Sequence, residues 1–259
     1  MSGADLSFPV LDIKNLIKIY DGGVLALDNV SFRVEQGEFM AVIGLSGSGK
    51  STLLRCINRL IEPTEGQIVW NGFDITAASQ DEMRRVRRKI GMVFQHFNLV
   101  TRSKVITNVL AGRLGYVNPA LSLLNRFSQS DMQMALKQLE RVGIADQAYK
   151  RADELSGGQQ QRVGVARAMM QEPEMILADE PVASLDPVLA HSIMQYLEKL
   201  NREDGVTVLC SLHFLDLVHD YADRAIALSN GKVMFDGPPK MIDDKKFKEI
   251  YGKEARRVG

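Results

Sequence analysis

Across 259 residues, 32 lysines and arginines balance 32 aspartates and glutamates, so the formal net charge is zero. That balance argues against a chain that grips nucleic acid or another polyanion through its overall charge. A composition 45% hydrophobic and 25% charged suits a soluble globular protein with an ample core, built as one large domain or two smaller ones.

No run of about 20 apolar residues occurs, so no segment is expected to span a bilayer. The opening MSGADLSFPVLDIKNL has acids but no basic region ahead of an apolar block, unlike a secretory signal. The two cysteines, Cys56 and Cys210, sit among apolar neighbours and are expected as buried thiols rather than a disulfide. The chain is expected in the cytosol, attached to a membrane only through another protein.

In chain order, Val10–Tyr20 and Leu25–Val34 alternate apolar and polar residues, as antiparallel strands do. Phe39–Ile43 is a short apolar run that ends at a glycine, and a helical pattern follows over Ser51–Leu60. Gln67–Asn71 and Ile90–Phe94 read as further strands, and Val105–Met170 is mostly helical. Met175–Ala178 reads as a strand, Leu189–Leu200 as a helix and Val206–Ser211 as a strand. Ala225–Leu228 and Lys232–Phe235 read as a hairpin turning at Asn230-Gly231. Alternating strands and helices with a helical block between them predict an α/β fold, a parallel core interrupted by a helical insertion. No internal repeat or low-complexity linker is visible.

Gly44 to Thr52 reads GLSGSGKST and matches G-x-x-x-x-G-K-[ST], with a strand before it and a helix after it. The loop comprises Gly44, Leu45, Ser46, Gly47, Ser48, Gly49, Lys50, Ser51 and Thr52. Its glycines let backbone N–H groups curl round phosphates with no Cβ in the way, and the helix N-terminus adds partial positive charge. Lys50 can reach β- and γ-phosphates, and the Ser51 hydroxyl can hold Mg2+. MILADE, Met175 to Glu180, is an apolar strand ending in two acids. Asp179 is expected to hold the metal, directly or through water, if its strand neighbours the loop. Glu180 points differently and is placed as the general base for an attacking water.

A second glycine stretch, ELSGGQQQRV from Glu154 to Val163, sits just ahead of a helical run. Its Leu155, Ser156, Gly157, Gly158 and Gln159 resemble the LSGGQ signature of the ATP-binding-cassette ATPases, and the family's other motifs stand in order over about Val10 to Gly237. Within that resemblance Tyr20 looks like the aromatic that stacks on adenine, although a packing tyrosine is the alternative. Gln95 resembles the glutamine that senses metal and lytic water. Glu180 matches the catalytic glutamate. Ser184, Leu185 and Asp186 match the inter-subunit loop, and His213 the switch histidine at the γ-phosphate. The resemblance implies a P-loop NTPase (RecA-like core) with an N-terminal antiparallel β subdomain. The core covers about 1–95 and 172–240, a helical subdomain about 96–171, and a short helical tail 241–259. It also implies ATP and Mg2+ as cofactors and a head-to-tail dimer of two copies, in which each LSGGQ turn contacts the ATP held by its partner's phosphate loop.

A lone cassette without membrane helices resembles an importer subunit docked on permease subunits at the cytoplasmic face of a bacterial membrane. A periplasmic or lipid-anchored substrate-binding protein would serve the same system. NVLAGRLGYVNPALSLLNRFSQSD (Asn108–Asp131), DEPVASLDP (Asp179–Pro187) and IGMVFQHFNLV resemble the phosphonate-import branch. Phosphite or another reduced-phosphorus oxyanion is the next substrate, a polar amino acid or methionine the third. A cassette serving carbon–phosphorus lyase machinery, or a soluble nucleotide-dependent factor, is the alternative outside transport. The permease surface is expected around Phe94–Leu99 and the nearby helix. Leu45 stands where many relatives have proline, and Thr107 where many have an acid. MRRVRRK (Met83–Lys89) is basic but lacks interleaved aromatics, so a solvated helix face is expected and no nucleic-acid partner.

Overall fold

The structure, a computed structural model, describes residues 9–117, 127–183 and 185–252. The chain divides into two compact units, one formed by residues up to Met83 and from His213 onward, the other by Arg84–Leu212.

In the first unit, β1 (Leu11–Tyr20) pairs antiparallel with β2 (Val24–Val34) and with β4 (Glu65–Trp70). β5 (Phe73–Asp74) completes a sheet ordered β2-β1-β4-β5. Apolar alternation works here as the sequence suggests: Leu11, Ile13, Leu16, Leu27, Val30 and Ile68 are fully buried or nearly so. The register slips after Ile13 and again after Leu16. Asn15 and Asn29 take φ of 50° and 57° there, and the Asn15 amide donates to Asn29 Oδ1 at 2.7 Å. Asparagine tolerates this left-handed backbone better than most residues, so the bulge is written into the side chains that border it.

β3 (Phe39–Ile43) is buried throughout and pairs in parallel with β9 (Arg224–Ser229). β9 turns back antiparallel into β10 (Lys232–Gly237), and Asn230 and Gly231 both carry positive φ, 49° and 75°, as a two-residue hairpin of this twist requires. α1 runs over Lys50–Ile57, shorter than the apolar pattern predicts. Arg59 takes φ 47°, its N–H bonds to Cys56 O, and Leu60 N–H reaches back to Arg55 O. These two bonds close a Schellman motif and end the helix. The Arg59 guanidinium then donates to the carbonyls of Ile75 and Ala78. α7 (Leu215–Tyr221) and α8 (Asp244–Tyr251), the latter within the expected tail, also belong to this unit.

The second unit holds a parallel ladder of β6 (Ile90–Val93), β7 (Met175–Ala178) and β8 (Thr207–Ser211), every residue buried. Strands buried on both faces read as continuous apolar runs, which is how these three appear in the sequence. α3 (Val105–Leu110), α4 (Gln129–Arg141) and α5 (Gly157–Met169) pack on one another. α6 (Pro187–Asp204) starts on an Asp186 cap with Pro187 in its first turn and stops at Gly205, φ 68°. α2 (Gln80–Lys89) precedes β6; Met83 and Val86 are buried while Arg84, Arg85 and Arg88 are exposed. The basic run is therefore an amphipathic helix with an outward charged face. Both cysteines are free and buried, and burial pushes the Cys56 thiol up to about 12.

Candidate functional site

The glycine loop is shaped by contacts that exclude a side chain. Gly44 takes φ 143°, and a Cβ there would lie 2.2 Å from the Leu228 carbonyl oxygen. Gly49 takes φ 107°, and a Cβ there would lie 2.5 Å from the Ala26 carbonyl oxygen. Gly47, φ 79°, meets no steric limit and is set by its backbone alone. The β9–β10 turn braces the loop from behind, because Gly231 N–H donates to Ser48 O at 3.1 Å and Gly231 O accepts from Asp28 N–H.

Lys50 is only 3% exposed, and its ammonium donates to the carbonyls of Gly44 (2.9 Å) and Leu45 (3.1 Å). A buried cation held by its own loop is positioned in advance for an anion. Gly49 stands at the N-cap of α1 and offers no side-chain cap. Ser48 Oγ is buried and has no hydrogen-bond partner. An orphaned hydroxyl, a cradle that a Cβ would fill and a buried ammonium together fit a phosphate chain. Leu45 is half-exposed and makes none of these contacts with its side chain, so the departure from proline leaves the cradle intact. Tyr20, at the end of β1, is 37% exposed, its hydroxyl 3.1 Å from Thr52 Oγ1 and Lys18 Nζ 5.2 Å from its ring centre. Ser46 is exposed, Ser51 half-buried, and His213, also half-buried, immediately precedes Phe214, the N-cap of α7.

In the second unit, Gln95 stands two residues past the end of β6 and is half-buried. Leu155 is buried, whereas Ser156 and Gly157 are exposed at the start of α5. Ser156 and Gln159 cap each other: Gln159 N–H donates to Ser156 Oγ at 3.4 Å, and Ser156 N–H donates to Gln159 Oε1 at 3.0 Å. The signature motif is thus a capping box, which explains its glutamine locally. Gly158 faces Leu189, where a Cβ would stand 2.6 Å from a methyl carbon.

Asp179 is 1% exposed and its N–H donates to Val93 O. Glu180 takes φ 49°, a left-handed backbone for a non-glycine residue, and its N–H donates to Ser211 Oγ at 2.8 Å. Asp186 accepts from Leu189 N–H as the cap of α6, and Leu185 N–H donates to Val182 O. Ser184 lies outside the described residues.

Two contributors escaped the sequence. Ser211 ends β8, where a polar residue after Val208, Leu209 and Cys210 is the available signal. Arg167 sits inside α5 and donates to the carbonyls of Phe97 and Asn98, next to Gln95; nothing in a helical run marks that contact. A cavity of 580 Å³ is lined by Arg84, Arg87, Arg88, Leu114 and Tyr116, with the Arg88 and Arg113 guanidiniums 5.3 and 4.4 Å from the Tyr116 ring centre. Thr107 lines a smaller cavity of 230 Å³.

The profile of the ABC transporter family matches residues 27–183. The chain belongs to that family. It is 54% identical over 247 residues to the phosphonates import ATP-binding protein PhnC 1 of Halalkalibacterium halodurans, covering 95% of this chain and 96% of that one. It is 51% identical over 254 residues to the phosphonates import ATP-binding protein PhnC of Bdellovibrio bacteriovorus, covering 98% and 97%. The dimeric structure of MJ0796, a bacterial ABC transporter cassette, is similar at TM-score 0.80 and 36% identity, over 88% of this chain and 98% of that one. A nucleotide-free ATP-binding cassette from an ABC transporter is similar at TM-score 0.79 and 31% identity, over 94% and 95%. The fold is therefore the α/β ABC ATPase cassette with its antiparallel β subdomain, as the LSGGQ and GLSGSGKST motifs led one to expect. Among the described residues no helix is long and apolar enough to cross a membrane.

Proposed function

We propose that this chain is the ATP-hydrolysing subunit that powers import of phosphonates or a related phosphorus oxyanion such as phosphite. The observation that carries the reading is the near-complete overlap with phosphonate-import ATP-binding proteins at 54% and 51% identity, joined to a phosphate cradle built round Lys50. Two copies act head to tail, docked on permease subunits at the inner face of the membrane, and a separate binding protein delivers the solute. The RecA-like core spans about 1–95 and 172–240 and the helical subdomain about 96–171.

The residues divide the work by their chemistry. ATP supplies the free energy of phosphoryl transfer, and Mg2+ neutralises charge on its phosphates. The Gly44–Thr52 loop and the Lys50 ammonium hold the phosphate chain, and Tyr20 offers its exposed ring to adenine. Ser51, Gln95 and Asp179 would hold the metal, through a hydroxyl, an amide and a carboxylate oxygen. Glu180 accepts the proton of the attacking water, and His213 contacts the γ-phosphate. Ser156 and Gly157, exposed on the N-terminus of α5, present partial positive charge to the ATP held by the partner copy. Leu185 and Asp186, with Ser184, belong to the dimer surface. Phe94–Leu99 and the nearby helix meet the permease.

The experiment is to compare wild type with Glu180→Gln in ATP hydrolysis and in size-exclusion chromatography with ATP and Mg2+. The expected outcome is hydrolysis lowered about 10²–10⁴-fold, the range for a removed general base, with the variant eluting as an ATP-bound dimer. A variant that hydrolyses ATP normally would remove Glu180 from the role.

A further inference from the structure

The last pair of the parallel β7–β8 ladder is Ala178 with Cys210. Ser211 therefore stands beside Asp179, one residue past the ladder, with its side chain fully buried. Glu180 comes next on the β7 side, and its φ of 49° turns the chain out of the strand. An N–H turned in this way leaves the ladder and needs another acceptor. Ser211 Oγ is that acceptor, at 2.8 Å. The same oxygen lies 3.5 Å from Ala178 O and 3.4 Å from Asp179 Oδ1. A hydroxyl has one proton to give and two lone pairs, so it can take the Glu180 N–H while donating to either neighbour.

We propose that Ser211 is a positioning residue for hydrolysis: its hydroxyl clamps the left-handed backbone of Glu180 and so fixes the direction of that carboxylate. The proposal rests on the reading of Glu180 as general base. The geometry accounts for three features at once. Glu180 persists in a backbone region that non-glycine residues rarely occupy, and such outliers persist only where the surroundings hold them. Its N–H is satisfied at the end of a buried ladder by a side chain. The clamp also reaches the Asp179 carboxylate, so one hydroxyl ties both acids to β8, two residues before His213 in the chain. Alanine at 211 keeps the strand but removes the acceptor. Threonine keeps the oxygen, and cysteine keeps the shape while offering only a weak acceptor.

The test uses the full chain with three readouts. Exchange of the Glu180 amide proton is followed by NMR without nucleotide, kcat and KM for ATP are measured separately, and the thermal midpoint serves as control. In Ser211→Ala, the Glu180 amide is expected to exchange about tenfold faster or more, as local opening is released. We expect kcat to fall about 10- to 100-fold with KM for ATP within about twofold, the pattern of a lost transition-state arrangement. Ser211→Thr restores slow exchange and brings kcat to within about threefold of wild type. If Ser211→Ala does not fold, Ser211→Cys carries the same expectation. Native exchange and native kcat in the alanine or cysteine variant overturn the proposal. So does a joint fall of kcat, ATP affinity and thermal midpoint that threonine does not rescue. Glu180→Gln, run in parallel, separates the two readings. If it hydrolyses ATP normally, the base assignment and the clamp fall together. If it is inactive while Ser211→Ala is native, only the clamp falls.

Discussion

The Arg167 guanidinium donates to the Phe97 carbonyl at 2.9 Å, and to that of Asn98 as well, at 2.6 Å. Phe97 and Asn98 carry φ of 55° and 48°, two successive left-handed residues just past Gln95. One side chain from the helix that begins at the LSGGQ turn therefore holds the loop that follows β6. Burial lowers the Arg167 pKa, so the two carbonyls also satisfy a largely desolvated cation.

Replacing Arg167 by methionine keeps the aliphatic packing and removes both bonds. Hydrogen bonds to charged groups contribute about 1.5–3 kcal/mol each, so a global loss of about 2 kcal/mol or more is expected in urea unfolding. Exchange of the amides at residues 96–99 should rise while that of Gly44–Thr52 stays at the wild-type rate. Unchanged exchange at 96–99 would show that the loop holds itself.

Gly44→Ala should abolish ATP binding, because its Cβ would lie 2.2 Å from the Leu228 carbonyl oxygen and neither backbone can yield cheaply. Gly47→Ala meets no neighbour within 4 Å and carries only backbone strain, about 1–3 kcal/mol. Titration with a fluorescent ATP analogue should rank wild type, Gly47→Ala and Gly44→Ala in that order. Equal affinity for the two variants would contradict the steric account.

Ser156 caps α5 from an exposed position, so Ser156→Arg costs about 1 kcal/mol in the cap and blocks the surface offered to a partner copy. Hydrolysis should be lost while one-to-one ATP binding by the monomer stays within about threefold of wild type. Equal loss of both would mean that the turn acts within its own chain.

Asp131 lies against Arg113, which also reaches Glu172 and stacks on Tyr116. Burial raises the Asp131 pKa, but the Ser128 hydroxyl and the Arg113 guanidinium outweigh it and leave the carboxyl below its usual value. A depressed folded pKa contributes stability above the unfolded value, about 3.9, and loses it as pH falls through the folded value. Asp131→Asn should therefore be less stable by about 1–3 kcal/mol near pH 7, and the gap should narrow only below about pH 4. Urea unfolding at a series of pH values checks this; a gap that closes between pH 5 and 7 would assign the effect to another group.

Much of this molecule could be read in advance because its instructions are local. Strand alternation, the Asn230-Gly231 turn and the Gly44–Thr52 loop all act over a few residues. α1 was read too long because Arg59 ends it by adopting a backbone that no propensity assigns to arginine. For α2 the basic run Met83–Lys89 shows its solvated face, but the first turn from Gln80 carries no apolar residue to mark where the helix begins. Ser211 and Arg167 were invisible for a different reason. Their partners lie 31 and 70 residues away, and a hydrogen bond across that separation leaves no periodic trace. The branch reading of Asn108–Asp131 falls partly on residues 118–126, outside the described residues.

The central claim is tested most directly by uptake in cells that lack this chain but keep its permease genes. Labelled 2-aminoethylphosphonate, phosphite and methionine are offered in parallel, with wild type or Glu180→Gln restored. Phosphonate uptake, or uptake of phosphite, should fall and be restored by wild type alone. Methionine uptake falling instead, or no solute changing at all, would contradict the assignment of this cassette to phosphorus-oxyanion import.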